Sequence, residues 1–260
     1  MLGEYYLLAF TGTGLLLMGI TREMVDFYRR FGVVKVPGII STAEAAEARR
    51  LAVELLETND SGQLIFEQRG QVSREHEVLR RLTMHPNIAE TAKSLAGISL
   101  RLLNDDIIAK RPHNETPTAA HRDLPYWPLS EASHSLTAWI ALQDTPLEMG
   151  GMTFVLGSHR LAEDQVGNIW DEDAWISAAP ESVWLPRLAI PLQSGDCTFH
   201  HSLTLHMASA NSTDDWRIAH RVTLVDAGAV YNARSHNNVV DLGLKPGDLL
   251  PDEEYPVIVV

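Results

Sequence analysis

The stretch LRLLNDDIIAK, residues 100–110, begins a series of short β-type segments that extends to the end of the chain. Pro, Gly, Asn and Asp separate these segments, as is typical of strands joined by turns. The apolar patterns predict strands over residues 100–110, 135–142, 153–156, 188–192, 197–205, 217–226 and 255–260. The C-terminal part of the chain is therefore predicted to be an antiparallel β structure.

The first hundred residues have helical periodicity instead. Thr21 suits the N-cap of a helix that ends at Gly32, and a short strand is predicted over 33–37. Apolar residues recur at helical spacing over 45–56, 78–82 and 88–95, with Pro86 near the start of the last segment. Helices before residue 99 and strands after it predict a mainly β fold with α, an antiparallel sandwich or barrel buttressed by N-terminal helices.

No linker divides the chain, and we interpret residues 21–260 as a single domain. Residues 1–20 form an apolar N-terminal extension without the basic region or small-residue cleavage site of a signal peptide. The apolar stretch is shorter than the ~20 residues that span a bilayer, and glycines interrupt it. We expect an added strand or a dispensable extension rather than a membrane anchor.

Charge and cysteine content restrict the function. A net charge of −13 argues against nucleic acid and anionic membrane surfaces as partners. Cys197 is the single cysteine, so an intramolecular disulfide framework and a thiolate cluster are both excluded. A reducing, cytoplasmic location is therefore expected, with a homo-oligomer left open. Any bound metal must use histidine and carboxylate ligands.

Such ligands occur in the stretch HRDLPYW, residues 121–127. On an extended segment His121 and Asp123 project to the same face, and His206 could supply a third ligand from farther along the chain. Two histidines and one carboxylate on one face of an octahedron leave three positions open, as in non-heme Fe(II) oxygenases. For the tripeptide alone, a surface histidine near an aspartate without metal is the alternative interpretation.

The wider context resembles the phytanoyl-CoA dioxygenase family of Fe(II)- and 2-oxoglutarate-dependent oxygenases over residues 20–226. The resemblance implies a double-stranded β-helix, a jelly-roll, cupin-like core. Motifs of the family occur here in order: His121-Arg122-Asp123 with Tyr126-Trp127, Thr137-Ala138-Trp139 with Asp144, Gly150-Gly151, Gly157-Ser158-His159, Gly195-Asp196, His206 and Arg217.

The resemblance implies that His121, Asp123 and His206 bind Fe(II). It also implies that 2-oxoglutarate chelates the ion and extends its far carboxylate to Arg217, eleven residues after the distal histidine. A planar guanidinium suits bidentate pairing with a carboxylate. Arg221 lies on the same strand face, and only the spacing favours Arg217 over it.

Three further positions concern the co-substrate pocket. Trp139 is expected to form its wall. Relatives often have Gln where this chain has Arg122, and Gly-Ser where it has Met207-Ala208. Ser209, one position later, is the candidate for the secondary hydrogen bond to 2-oxoglutarate.

Other residues are candidates for the substrate pocket. Asn104, Asp106 and Ile108 alternate along one strand and should face the same cavity as Trp127. His220 could face the substrate or be a satisfied core histidine. The other histidines are expected to be structural or exposed: His134, His159, His200, His201 and His236.

Two connections are candidate lids. Residues 161–187 contain Trp170, Trp175 and Trp184, which could wall an aromatic or polycyclic substrate or could anchor the segment to the β core. Residues 57–73 could contribute Phe66 and Gln68.

By resemblance, the reaction abstracts hydrogen from a C–H bond, with hydroxylation as the default outcome. Cyclisation, epimerisation and desaturation are alternatives, whereas halogenation is disfavoured because Asp123 is intact. Two other function classes are a catalytically silent binding module and a cupin-type enzyme that does not use 2-oxoglutarate. The HRDLPYW form resembles tailoring members of microbial secondary metabolism, including antibiotic biosynthesis, so we expect a small natural product, with O₂ as the second co-substrate.

Overall fold

The computed structural model describes residues 20–58, 66–161, 171, 173–234 and 243–258. Residues 1–19 of the apolar extension lie outside the described residues, as do Trp170 and His236. The described α-helices are α1 (Arg22–Phe31), α2 (Thr42–Glu57), α3 (Val72–Glu75), α4 (Glu77–Thr83), α5 (Pro86–Ala96) and α6 (Ala174–Ala178). The strands are β1 (Val33–Val36), β2 (Glu67–Gly70), β3 (Leu100–Lys110), β4 (Thr118–His121), β5 (Leu129–Ser130), β6 (Leu136–Ala141), β7 (Met152–Val155), β8 (Arg187–Ile190), β9 (Cys197–His201), β10 (His206–Ala208), β11 (Arg217–Asp226) and β12 (Val230–Tyr231).

The described strands form a larger sheet in the order β1-β9-β6-β11-β3-β2 and a smaller one in the order β4-β10-β7-β8. Strands β12 and β5 form a separate pair, and neighbouring strands are antiparallel throughout these sheets. The mainly β fold with N-terminal helices, predicted from the change of pattern at residue 99, is confirmed.

The larger sheet is buried on both faces. Ile107, Ile218 and Val222 belong to one apolar cluster with residues of the N-terminal helices. Ala219 and Trp139 belong to a second cluster with residues of the smaller sheet. Residues that alternate along β11 therefore point either to the helices or to the space between the sheets, where the candidate site lies.

The predicted helix after Thr21 forms for the expected reasons. The Thr21 side chain accepts a hydrogen bond from the Met24 N–H, and the helix ends at Gly32 with a left-handed φ of 79°. A Cβ at Gly32 would lie 2.3 Å from Thr204 Oγ1, so both the backbone conformation and the space require glycine. This contact places the end of α1 against the turn that precedes the distal histidine.

Two strand predictions need correction. A strand over 255–260 is wrong, because within the described residues 255–258 forms only a bridge between Val257 and Arg101. The Arg101 guanidinium instead binds the carbonyls of Leu250 and Tyr255, so a side chain holds this segment. The strand predicted over 197–205 ends at His201, where a turn leads into β10.

The Gly195-Asp196 motif has a structural role. Gly195 has a φ of +89°, and a Cβ there would lie 2.5 Å from the Ile40 carbonyl oxygen. The buried Asp196 carboxylate accepts hydrogen bonds from the Gly38 and Gln193 N–H groups and lies 2.8 Å from Lys35 Nζ. The motif thus fastens the loop before β9 to the chain between β1 and α2.

In the part of the chain described, no helix is both long and apolar enough to cross a membrane.

Candidate metal and co-substrate site

His121, Asp123 and His206 meet at adjacent strand ends. His121 ends β4, His206 begins β10, and the two residues are paired across these antiparallel strands. Asp123 Oδ1 lies 3.9 Å from His121 Nε2 and 3.7 Å from His206 Nε2. One ligand atom from each residue lies within 4.8 Å of the others, a spacing that suits a shared metal ion.

Backbone hydrogen bonds orient both histidine rings. The Nδ1 atom of His121 lies 2.9 Å from the Ala119 carbonyl oxygen, and that of His206 lies 3.0 Å from the Thr204 carbonyl oxygen. Because a carbonyl only accepts, each Nδ1 carries the proton and each Nε2 keeps a lone pair for a metal. Both rings therefore present Nε2 as the nitrogen able to bind a metal.

The protonation states also suit a cation. Burial lowers the pKa of His121 to about 3 and that of His206 to about 4, so both rings are neutral at pH 7. Burial raises the pKa of Asp123, but His206, His200 and His121 outweigh it and hold that pKa well below its usual value. Two neutral nitrogens and one anionic oxygen remain, as Fe(II) sites of this type require.

The second oxygen of Asp123 is held by the larger sheet. Thr137 on β6 donates a 2.7 Å hydrogen bond to Asp123 Oδ2, and His200 Nε2 on β9 lies 3.3 Å from the same oxygen. Oδ1 therefore faces the two histidine ligands while Oδ2 is engaged. Such outer contacts fix the geometry of a metal ligand.

Arg217 is a buried cation for which the described residues supply no counter-charge. Its side chain comes from β11, only 2% of the residue is exposed, and its Nε has no hydrogen-bond partner among the described residues. The guanidinium carbon lies 5.3 Å from the centre of the Trp139 ring, as expected for a residue that walls this pocket. Burial lowers the pKa of Arg217 to about 10, which leaves it charged at pH 7.

Arg221 differs from Arg217 in its charge balance. Arg221 Nη2 lies 2.8 Å from Asp106 Oδ2, and its Nε donates to the same carboxylate. Because Asp106 neutralises Arg221, the cation available to an incoming carboxylate is Arg217. The two arginines therefore differ in charge balance, although they lie on the same face of β11.

The site lies in a cavity of about 640 Å³ between the two sheets. Its lining includes the three candidate ligands, both arginines and the predicted residues Asn104, Ile108, Trp127 and Trp139. Phe66 and Gln68 from the 57–73 connection also line it. A larger cavity of about 730 Å³ lies near Pro37 and Asn87, contains none of the candidate ligands, and is not where we place the chemistry.

The structure separates three predicted site residues from this cavity. His220 is fully buried on the opposite face of β11, where its Nε2 lies 2.9 Å from Thr83 Oγ1, so it is a core histidine. Asp106 is also fully buried and holds lining side chains rather than forming part of the lining. Ser209 is exposed, and its hydroxyl donates to the Leu147 carbonyl.

The tryptophans of the 161–187 connection do not wall the cavity where they are described. Trp175 is buried in a cluster with Ala120 and Leu205, each one residue before a candidate histidine ligand. Trp184 is 89% exposed. Trp175 therefore fits the anchoring interpretation of this segment.

Two residues that support the site, Thr137 and His200, are not predicted from the sequence to contact the candidate ligands. The sequence marks Thr137 only as part of the Thr137-Ala138-Trp139 motif, and His200, expected to be structural or exposed, contacts the Asp123 carboxylate. Strand alternation could have revealed Thr137, which shares a face of β6 with Trp139. Contact between β9 and Asp123 depends on how the sheets pack.

Comparison with known proteins identifies the family. A model described as "Phytanoyl-CoA dioxygenase (PhyH)" matches residues 28–219. A "Probable phytanoyl-CoA dioxygenase" of Caenorhabditis elegans is 26% identical over 153 residues, 55% of this chain and 49% of that protein. The "Phytanoyl-CoA dioxygenase domain-containing protein 1" of Mus musculus is 26% identical over 162 residues, 60% of this chain and 55% of that protein. The match thus spans about half the length of these curated relatives.

Two solved structures resemble nearly the whole chain. The "non-heme alpha ketoglutarate dependent carbocyclase SnoK from nogalamycin biosynthesis" is 37% identical, with a TM-score of 0.83 and coverage of 93% of this chain and 97% of SnoK. The "epimerase SnoN in complex with Fe3+, alpha ketoglutarate and nogalamycin RO" is 36% identical, with a TM-score of 0.82 and coverage of 91% and 98%. The family resemblance, the fold class and the expected cofactors are confirmed. This chain belongs to the phytanoyl-CoA dioxygenase family.

Proposed function

We propose that the protein is an Fe(II)- and 2-oxoglutarate-dependent dioxygenase that abstracts hydrogen from a C–H bond of a small natural product. The observation that supports it is one cavity that contains both a His-Asp-His ligand set and Arg217, a buried cation without a partner for its Nε among the described residues. A binding module would not need this combination. A cupin-type enzyme without 2-oxoglutarate would not need a buried guanidinium that no described carboxylate neutralises.

The chain's own residues determine where each group binds. His121, Asp123 and His206 would hold Fe(II), which with 2-oxoglutarate and O₂ supplies an oxidant strong enough to cleave a C–H bond. Arg217 would hold the far carboxylate of 2-oxoglutarate. Thr137 and His200 keep Asp123 in position, and Trp139 lines the cavity beside the Arg217 guanidinium.

Hydroxylation is the default outcome in this proposal. Ring closure or epimerisation is the second candidate, favoured by the 37% and 36% identity to a carbocyclase and an epimerase. Desaturation could arise from the same hydrogen abstraction. Because small displacements of a bound substrate change which reaction follows, the outcome depends on the substrate's position in the cavity.

The test is succinate formation from 2-oxoglutarate by the Fe(II)-loaded protein with a panel of natural-product intermediates. Product mass separates the outcomes: gain of one oxygen for hydroxylation, loss of two hydrogens for cyclisation or desaturation, and no change for epimerisation. Asp123→Ala should abolish turnover and metal retention together. Wild-type consumption of 2-oxoglutarate by that variant would refute the ligand set.

A further inference from the structure

A second polar cluster borders the cavity, and the proposed function does not use it. Asp106, fully buried, accepts hydrogen bonds from three side chains on three strands. Arg221 Nη2 lies 2.8 Å, Asn104 Nδ2 2.6 Å and Gln68 Nε2 3.2 Å from its Oδ2 atom. The carboxylate therefore has a matching charge and fixes the side chains around it.

Two hydrogen-bonding positions of this cluster remain unused by the described residues. Arg221 uses Nε and Nη2 on Asp106, and Nη1 makes no hydrogen bond within the described chain. The buried Asn104 Oδ1 likewise has no partner there. Because the Asn104 amide must turn its NH₂ group to the carboxylate, Oδ1 is fixed as an acceptor. Asp106 thus positions one unused donor, Arg221 Nη1, and one unused acceptor, Asn104 Oδ1, among the described residues.

This pair has a specific chemical complement. A hydroxyl group has both functions that this pair complements, because its oxygen can accept from the Arg221 guanidinium and its O–H can donate to Asn104 Oδ1. An anion is less well matched, because Asp106 already neutralises Arg221. A methyl ether can accept but cannot donate.

The surrounding lining indicates what bears the hydroxyl. Phe66, Tyr126 and Trp127 line the same cavity as Asn104 and Arg221. Aromatic side chains present flat apolar surfaces that favour flat apolar ligands. The histidine ligands line this cavity too, so a molecule bound there can bring a C–H bond near the metal site.

We propose that Arg221 and Asn104 form a hydroxyl-binding subsite that orients a flat apolar substrate in the cavity. The inference rests on the proposed function only in naming the bound molecule as its substrate. Asp106 acts as a positioning residue, because it holds both side chains without reaching the ligand.

The test compares 2-naphthol with 2-methoxynaphthalene as probes. Dissociation constants are measured by ligand-observed NMR on the full chain, with and without Zn(II) and 2-oxoglutarate. One additional hydrogen bond to a buried acceptor should make 2-naphthol bind about five- to tenfold more tightly. Equal affinities in the wild-type protein would overturn the subsite.

The variant Asn104→Leu removes the acceptor at similar volume, while Asp106 keeps Arg221 and Gln68. The preference for 2-naphthol should then fall to about onefold, with 2-methoxynaphthalene binding within about twofold of wild type. Persistence of the preference would refute the role of Asn104. Asn104→Ala repeats the comparison if the leucine variant does not fold.

Asn87→Leu is the matched control, because Asn87 binds the Ile39 carbonyl outside this cavity, and its preference should equal that of wild type. The same measurements distinguish failure of the subsite from failure of the proposed function. The preference is expected in both the loaded and the unloaded protein, since neither Asn104 nor Arg221 is a proposed metal or co-substrate ligand. Loss of 2-oxoglutarate binding with an intact preference would refute only the proposed function.

Discussion

Replacing Arg217 by methionine should make the protein more stable and less able to bind its co-substrate. Burial lowers the pKa of this guanidinium from its usual value to about 10, which corresponds to about 3 kcal/mol against the charged form. Because the folded-state pKa lies below the unfolded value, this cost is fully present at pH 7 and is relieved only above about pH 10. Methionine removes the charge and still fills the space.

The expected magnitude follows from that cost. Loss of the contact with the Trp139 ring offsets about 1 kcal/mol, so the free energy of unfolding without ligands should rise by about 1–2 kcal/mol. Removing one partner of a buried charge pair costs about 3–5 kcal/mol, so the Kd for 2-oxoglutarate should rise at least about a hundredfold. Arg217→Met should therefore raise the free energy of unfolding and lower the affinity for 2-oxoglutarate.

Thermal unfolding at pH 7 tests both effects. Without ligands, Arg217→Met should melt a few degrees above wild type, about 2–4 °C per kcal/mol for a domain of this size. Zn(II) should stabilise both proteins, and further addition of 2-oxoglutarate should stabilise only wild type. Arg221→Met is the contrasting control, because it leaves the buried Asp106 without its cation and should destabilise the protein by about 3–5 kcal/mol. Wild-type stabilisation of Arg217→Met by 2-oxoglutarate would refute the assignment.

Three further variants test other parts of the structure. Thr137→Val removes the 2.7 Å hydrogen bond to Asp123 Oδ2 and should weaken Co(II) binding about 10–100-fold in spectroscopic titrations, so unchanged affinity would contradict the positioning role. Burial and the nearby Arg217 lower the pKa of Lys110 to about 7, below its unfolded value, so this group makes stability rise from pH 7 toward pH 10 by about 1.4 kcal/mol per pH unit. Lys110→Met should flatten that rise in denaturant unfolding measured across this range, and an unaltered slope would contradict the explanation. Gly195→Ala should lower the free energy of unfolding by about 1–3 kcal/mol, because the backbone there is left-handed and the added Cβ meets the Ile40 carbonyl. An unchanged free energy of unfolding would contradict the requirement for glycine at this position.

The local pattern of apolar and turn residues was sufficient to predict most helices and strands. The bounds of β3 and β11 match the predicted 100–110 and 217–226, because these long segments are rich in Leu, Ile and Val and are bounded by turn residues. The strand predicted over 255–260 is wrong, because the Arg101 side chain on the distant strand β3 binds the Tyr255 carbonyl in place of a strand partner. Short strands such as β10, with three residues, carry too little pattern to be recognised.

The candidate ligands could be named from the order of motifs along the chain, because their residue types and spacing limit the chemistry. His121, Asp123, His206 and Arg217 are local choices of side chain, and strand alternation places their faces. Only the tertiary structure showed which of the two arginines on β11 has a carboxylate beside it. Arg217 and Arg221 are the same residue type on the same face of β11, and only the packing of β3 beside that strand brings Asp106 to one of them. Pairing across strands depends on register and distance, which a linear sequence does not contain.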